Sequence, residues 1–113
     1  KETVYALYYD KLRRTIETQG TLNFPQASGD KLYGKLTMVI TVGSQGELLQ
    51  TEVISSSRNP LLDERAVAIE RSAAPCEPFN TKMRRQADQI EVVSRFMFSR
   101  DDTLSSRILV PDN

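Results

Sequence analysis

The chain has 113 residues, of which 39% are hydrophobic, and fifteen basic residues balance fifteen acidic ones. This size fits one domain that buries roughly 65% of its unfolded surface in a single core. The even charge balance argues against nucleic acid or an anionic membrane as the main partner, since both favour a concentrated positive surface. No apolar run reaches the ~20 residues of a membrane span, and the first residues show no signal-peptide pattern.

The chain contains no histidine and a single cysteine, Cys76. Ser-His-Asp and Cys-His catalysis need an imidazole base, and catalytic zinc sites draw mainly on histidine or on several cysteines. One cysteine also excludes an intramolecular disulfide. We therefore expect a binding module without catalytic residues, metal or cofactor, in which Cys76 is a small buried residue rather than a reactive thiol.

The first predicted element is an amphipathic helix over residues 4–19, with Gly20 just past its end. Its apolar stripe has helical spacing and consists of Tyr5, Tyr9, Leu12 and Ile16. Alternating apolar residues then predict a strand at 35–42. The glycines of the segment 43–46 suit a hairpin turn, and a second strand is predicted at 47–55.

A second helix and a third strand follow the hairpin. Asn59-Pro60 combines an N-cap side chain with a proline at the first helical position, which predicts a helix start. Pro75 is predicted to stop this helix, and the stretch 75–88 to be irregular. Alternation of apolar and polar residues returns at 90–98 and predicts the third strand.

This order, α-β-β-α-β, predicts an α+β fold: a small two-layer sandwich in which a three-stranded antiparallel sheet packs on two helices. If the third strand pairs beside the first, the strand order is 2-1-3 and the third strand lies at an edge. The predicted domain covers residues 1–98. Residues 99–113 are predicted to be an extended or flexible tail.

Several segments, taken in order, match a known pattern. They are Tyr8–Arg13 with Leu22–Pro25, Gly34–Val42 with Gly46–Leu48, Ser55–Ser57 before Leu62–Ala66, and Ala73–Pro75 before Pro78-Phe79. Together they resemble the C-terminal domain of TonB family energy transducers over roughly residues 5–98. Three features depart from that pattern: Phe24 replaces the usual tyrosine, Cys76 replaces a bulky apolar residue, and the tail is longer.

The resemblance implies a periplasmic domain of a protein anchored in the inner membrane. Such proteins are driven by an ExbB–ExbD motor through the part that precedes this domain. The domain captures the TonB box, a short extended segment of outer-membrane TonB-dependent receptors. It thereby couples the proton motive force to the import of substrates such as iron siderophores.

The physical basis of such capture is β-strand addition, in which an extended peptide pairs with the free backbone groups of an edge strand. We predict that the third strand is the docking edge. Its candidate partner-binding residues are Glu91, Val93, Ser94, Arg95 and Met97.

A second predicted contact is formed by Asn23, Phe24 and Pro25, as the resemblance implies. In the alternative interpretation, Phe24 covers the core and Pro25 fixes a turn.

Three rival interpretations stay open at this stage. The first is a TolA-like envelope-integrity domain, although such domains usually contain paired cysteines. The second is a small enzyme that uses Cys76 or the carboxylates of Asp101-Asp102, for which the sequence offers no positioned base. The third is a self-associating module, such as a homodimer, in which the third strand or the tail pairs with a second copy.

Overall fold

Residues 2–109 are described by the structure, a computed structural model, and they form one layer of helices on one face of a sheet. The elements in chain order are α1 (Glu2–Leu22), β1 (Gln26–Ala27), β2 (Asp30–Lys31), β3 (Gly34–Gly43), β4 (Leu48–Ser55), α2 (Pro60–Ser72), α3 (Thr81–Gln86), β5 (Gln89–Phe98) and β6 (Leu104–Leu109). The main sheet has the order β4-β3-β5-β6, and β1 and β2 form a separate hairpin. The predicted α+β class and the 2-1-3 order of the first three long strands are confirmed.

The centre of the sheet is the antiparallel pair of β3 and β5. It runs without interruption from Gly34 opposite Phe98 to Gly43 opposite Gln89. Alternate side chains of both strands point toward the helices and are buried. These inward residues are Leu36, Met38, Ile40 and Val42 of β3, and Ile90, Val92, Phe96 and Phe98 of β5. The period-two pattern of the sequence therefore identified the core strands correctly.

Helix α2 begins where the sequence predicted. The Asn59 side chain accepts a hydrogen bond from the Leu61 N–H at 3.1 Å, and Pro60 is the first helical residue. Ser57 Oγ donates to Asp63 at 2.7 Å, which fixes the loop before the helix. Leu62, Ala66 and Ile69 lie at helical spacing along α2 and are buried.

Helix α1 is longer than predicted and continues through Gly20 to Leu22. Gly20 is buried, and a Cβ atom there would overlap the side chain of Leu104. The glycine therefore serves close packing between α1 and β6 instead of ending the helix.

The segment predicted to be irregular contains the short helix α3. Asn80 caps it, accepting a hydrogen bond from the Met83 N–H at 2.9 Å, and Met83 is 1% exposed. A helix of six residues is too short to show a periodic apolar stripe, so hydrophobic spacing could not reveal it.

The prediction that the third strand lies at an edge is wrong, because the chain returns as β6 and gives the sheet a fourth strand. β6 pairs antiparallel with β5 from Leu104 opposite Phe98 to Leu109 opposite Val93. A tight turn makes this return possible: the Asp102 N–H donates to the Ser99 carbonyl at 2.9 Å. Asp102 has a positive φ of 65°, a conformation that aspartate tolerates better than most residues.

Candidate partner-binding site

The outward face of β5 holds four of the five partner-binding residues that were predicted on this strand. Glu91, Arg95 and Met97 are exposed there, and Val93 is half-buried. Ser94 points the other way: it is fully buried between the sheet and the helices. Its place in the predicted set can therefore rest only on its backbone groups, because its side chain occupies an inward position of the alternation.

Backbone hydrogen bonds show which way the groups of β6 point. The N–H of Ser106 donates to Glu17 Oε2 at 2.7 Å, and that of Leu104 donates to Thr21 Oγ1 at 3.1 Å. Both N–H groups therefore face α1 rather than β5. Because directions alternate along a strand, Arg107, which follows Ser106, directs its N–H at β5, and the opposite residue Arg95 directs its own at β6. β6 thus uses the edge that was predicted for a partner.

The outer edge of β6 is covered by α1. Glu17 and Thr21 lie one helical turn apart and bind two successive outward N–H groups of the strand. Such side-chain capping is one way in which proteins protect an exposed edge from pairing with another chain. A further strand would have to break these bonds to pair here.

The other edge of the sheet, β4, is irregular. Its register against β3 shifts twice, once between Thr37 and Met38 and once between Thr41 and Val42. The extra residues at these bulges are Ile54 and Leu49, which are 53% and 51% exposed. Bulges bend a strand and interrupt its row of free backbone groups, so β4 offers a poor template for an added strand.

One side chain anchors β6 in the core. Leu104 is 3% exposed and lies against Gly20, a burial that contributes about 2–3 kcal/mol. Ser105 and Arg107 are exposed, and Ile108 is only half-buried. Most of the strand is therefore held by backbone pairing rather than by packing.

The turn before β6 is fixed to the β1–β2 hairpin. Asp102 accepts hydrogen bonds from Lys31 Nζ and from the Tyr33 hydroxyl, both at 2.8 Å. The bond from Lys31 is the main reason why the pKa of Asp102 is lowered. The Arg100 guanidinium lies 4.6 Å from the centre of the Tyr33 ring. The start of β6 is thus better tethered than its end.

Positive charges meet where β5 and β6 pair. Arg95 and Arg107 lie directly opposite each other, and both are exposed. Lys35 of β3 is exposed beside them, opposite Met97. Among residues 4–109, whose side chains the structure describes, none of these three cations has an ion-pair partner. Like charges directly opposite on adjacent strands are destabilising, so this part of the pair is electrostatically unfavourable.

The second predicted contact, Asn23 to Pro25, lies at the far end of β5. Phe24 is 8% exposed and packs edge-on against Phe98, with ring centres 5.6 Å apart. The carbonyl of Pro25 accepts the Leu32 N–H at 3.0 Å. These contacts favour the interpretation in which Phe24 covers the core and Pro25 fixes a turn, while Asn23 is exposed.

The residues of the enzyme alternative are held in structural contacts. Burial raises the pKa of the Cys76 thiol to about 11, so the thiol is protonated at neutral pH and a poor nucleophile. Asp102 is bonded to Lys31 and Tyr33 as described, and Asp101 accepts from the Thr103 hydroxyl at 2.7 Å. In the described part of the chain, no group of three or more His, Cys, Asp or Glu side chains could hold a metal ion.

Comparison with known proteins identifies the class. The family model described as the Gram-negative bacterial TonB protein C-terminal matches residues 21–99, well over half of the chain. The chain therefore belongs to the TonB C-terminal domain family and is a TonB-like periplasmic domain. No curated protein matched, and no solved structure matched. Among residues 2–109 no helix has the length and apolar character needed to span a membrane.

Proposed function

We propose that this domain docks onto the TonB box of outer-membrane TonB-dependent transporters by β-strand addition. Membership of the TonB family over residues 21–99 supports this partner class. The observation that carries the proposal is the open antiparallel sheet. Helices cover only one of its faces, and its long strand β5 has backbone groups that can pair on both sides. Backbone pairing tolerates many sequences, which suits one domain that serves several receptors.

The outward side chains of β5 would set the preference among receptors. Glu91, Val93, Arg95 and Met97 lie on the face that a bound segment would share. Exposed ion pairs there contribute only ~0.2–1 kcal/mol each, so they select among segments that the backbone already accepts. Exposed Asn23, beyond the end of β5, would supply a further contact.

In the whole protein, this domain would be the receptor-binding end of an energy transducer. An inner-membrane anchor and an ExbB–ExbD motor would act through the part of the protein that precedes it. Pulling along a row of strand hydrogen bonds would transmit force to the receptor and drive import of substrates such as iron siderophores. The match to the TonB model favours this role over the TolA-like alternative.

The test is binding of a labelled peptide from the N-terminal segment of a TonB-dependent transporter, followed by fluorescence anisotropy. We expect saturable binding. A matched peptide with proline at one central position should bind at least about tenfold more weakly, because proline removes a ladder donor. If no transporter segment binds, or if the proline peptide binds equally well, strand addition is wrong.

A further inference from the structure

We propose that a cleft between α1 and the segment 73–77 binds a small uncharged molecule that has an apolar body and one hydrogen-bond acceptor. The cleft has a volume of about 300 Å³, which is at the lower end of the range for ligand sites. Its lining residues come from α1 and from this segment, and none of them belongs to a strand. The proposal is therefore independent of docking on the sheet.

The walls of the cleft are apolar and fixed in position. Leu12 of α1 and Ala73 at the end of α2 are buried, and Pro75 completes the wall that faces α1. The Cys76 N–H donates to the Gly46 carbonyl at 2.7 Å, which holds this wall against the hairpin turn. Because the cleft is formed before a ligand arrives, binding has a lower entropic cost.

A polar group without a partner lies in the buried part of the cleft. Tyr8 lines the cleft and is 8% exposed, and its hydroxyl has no hydrogen-bond partner among residues 4–109. An edge-on contact with Phe79, with ring centres 5.4 Å apart, holds the tyrosine ring in place. Burial, followed by the proximity of Cys76 and Glu77, raises the pKa of Tyr8, so the hydroxyl keeps its proton. It is a buried donor that an acceptor on a ligand would satisfy.

The charges around the cleft cancel, which favours an uncharged ligand. Lys11 Nζ and Glu77 Oε2 form an ion pair of 2.8 Å that joins the two walls at their exposed side. Burial raises the pKa of the Cys76 thiol to about 11, so this group is also neutral at pH 7. A charged ligand would lose hydration in the cleft without gaining an unpaired counter-charge.

A matched pair of small molecules tests the site on the full chain. Acetophenone has an aromatic ring and a carbonyl acceptor, and α-methylstyrene has the same shape with a CH₂ group in place of the oxygen. We expect acetophenone to shift the amide resonances of Ala73 and Cys76 saturably, with a dissociation constant on the order of 1 mM because it has few atoms. The less soluble α-methylstyrene is compared through the initial slope of the same shifts. Shifts that do not saturate with acetophenone would overturn the proposal.

Tyr8→Phe removes only the hydroxyl group and separates a ligand contact from a structural role. We expect this variant to bind acetophenone about fivefold more weakly, because one hydrogen bond is lost. Its binding of α-methylstyrene should stay within about twofold of that of the unmodified chain. Without either compound, the thermal unfolding midpoint should not fall, because the hydroxyl has no partner to lose. Equal losses for both compounds, or a lower midpoint, would contradict the donor role of Tyr8.

Two tryptophan variants on the exposed side of α1 locate the bound compound. Thr15 lines the cleft, whereas Thr18, almost one turn further along the helix, does not. Thr15→Trp should fill the cleft and weaken acetophenone binding at least about tenfold, whereas Thr18→Trp should bind within about twofold of the unmodified chain. Equal binding by the two variants would place acetophenone on another surface and show that the proposal is wrong. None of these results depends on a transporter segment, so failure here leaves the proposed function standing.

Discussion

Replacing Gly46 with alanine should lower the free energy of unfolding by about 3 kcal/mol. Gly46 has a φ of +87°, and a Cβ atom there would overlap the backbone carbonyl of Cys76. Its own carbonyl accepts the Cys76 N–H at 2.7 Å. The alanine therefore adds backbone strain and also pushes away the segment that this hydrogen bond holds. That segment leads to Phe79, which is 3% exposed and packs on Tyr8.

The matched control is Gly29→Ala. Gly29 has the same φ of +87°, but nothing lies within 4 Å of its added Cβ, so this variant measures the strain alone, about 1 kcal/mol. Urea denaturation with an unchanged m-value gives both numbers. Equal losses in the two variants would show that the contact between the hairpin turn and Cys76 contributes nothing.

The second large effect concerns Glu70, whose neutralisation by Glu70→Gln should stabilise the protein at alkaline pH. Glu70 is 2% exposed, and its Oε2 atom has no hydrogen-bond partner among the described residues. Burial raises the pKa of this carboxyl from its usual 4.5 to about 8. The folded state therefore holds a proton that the unfolded chain releases at lower pH.

The sign of the pH dependence follows from this raised pKa. Stability from the neutral carboxyl is fully present below pH 4.5 and is lost as the pH rises through about 8. At pH 8.5 the free energy of unfolding of Glu70→Gln should be higher than that of the unmodified protein by on the order of 2 kcal/mol. At pH 4.5 the two free energies should be nearly equal. Glu64→Gln, on the exposed side of the same helix, should show no such difference. A constant offset at both pH values would contradict the buried ionisation.

The sequence alone was sufficient to predict those helices and strands that have strong local sequence signals. The alternation in β3 and β5 predicts two core strands, and Asn59-Pro60 predicts the start of α2. Family resemblance added the periplasmic class, which the match over residues 21–99 supports. These features depend on spacing or on a cap within a few residues, so they can be read without knowing the tertiary structure.

The remaining features depend on contacts between distant residues. Gly20 has the pattern of a helix end, but it lies inside α1, where Leu104 leaves no room for a side chain. β6 has serine at the inward position 106, which obscures its alternation, although Asp101-Asp102 after Phe98 was a usable turn signal. The pairing of β5 with β6 was missed for the same reason: the neighbouring strand is supplied by a segment whose pattern is typical of a mobile tail.

Amide hydrogen exchange of the unmodified chain, with and without a saturating transporter segment, tests most directly whether β5 is the docking strand. The amides of Arg95 and Met97 should stay protected when the segment is bound, because they exchange one partner strand for another. Those of Ser105 and Arg107 should lose protection as β6 is displaced. Continued protection of β6 in the saturated complex would contradict docking on β5.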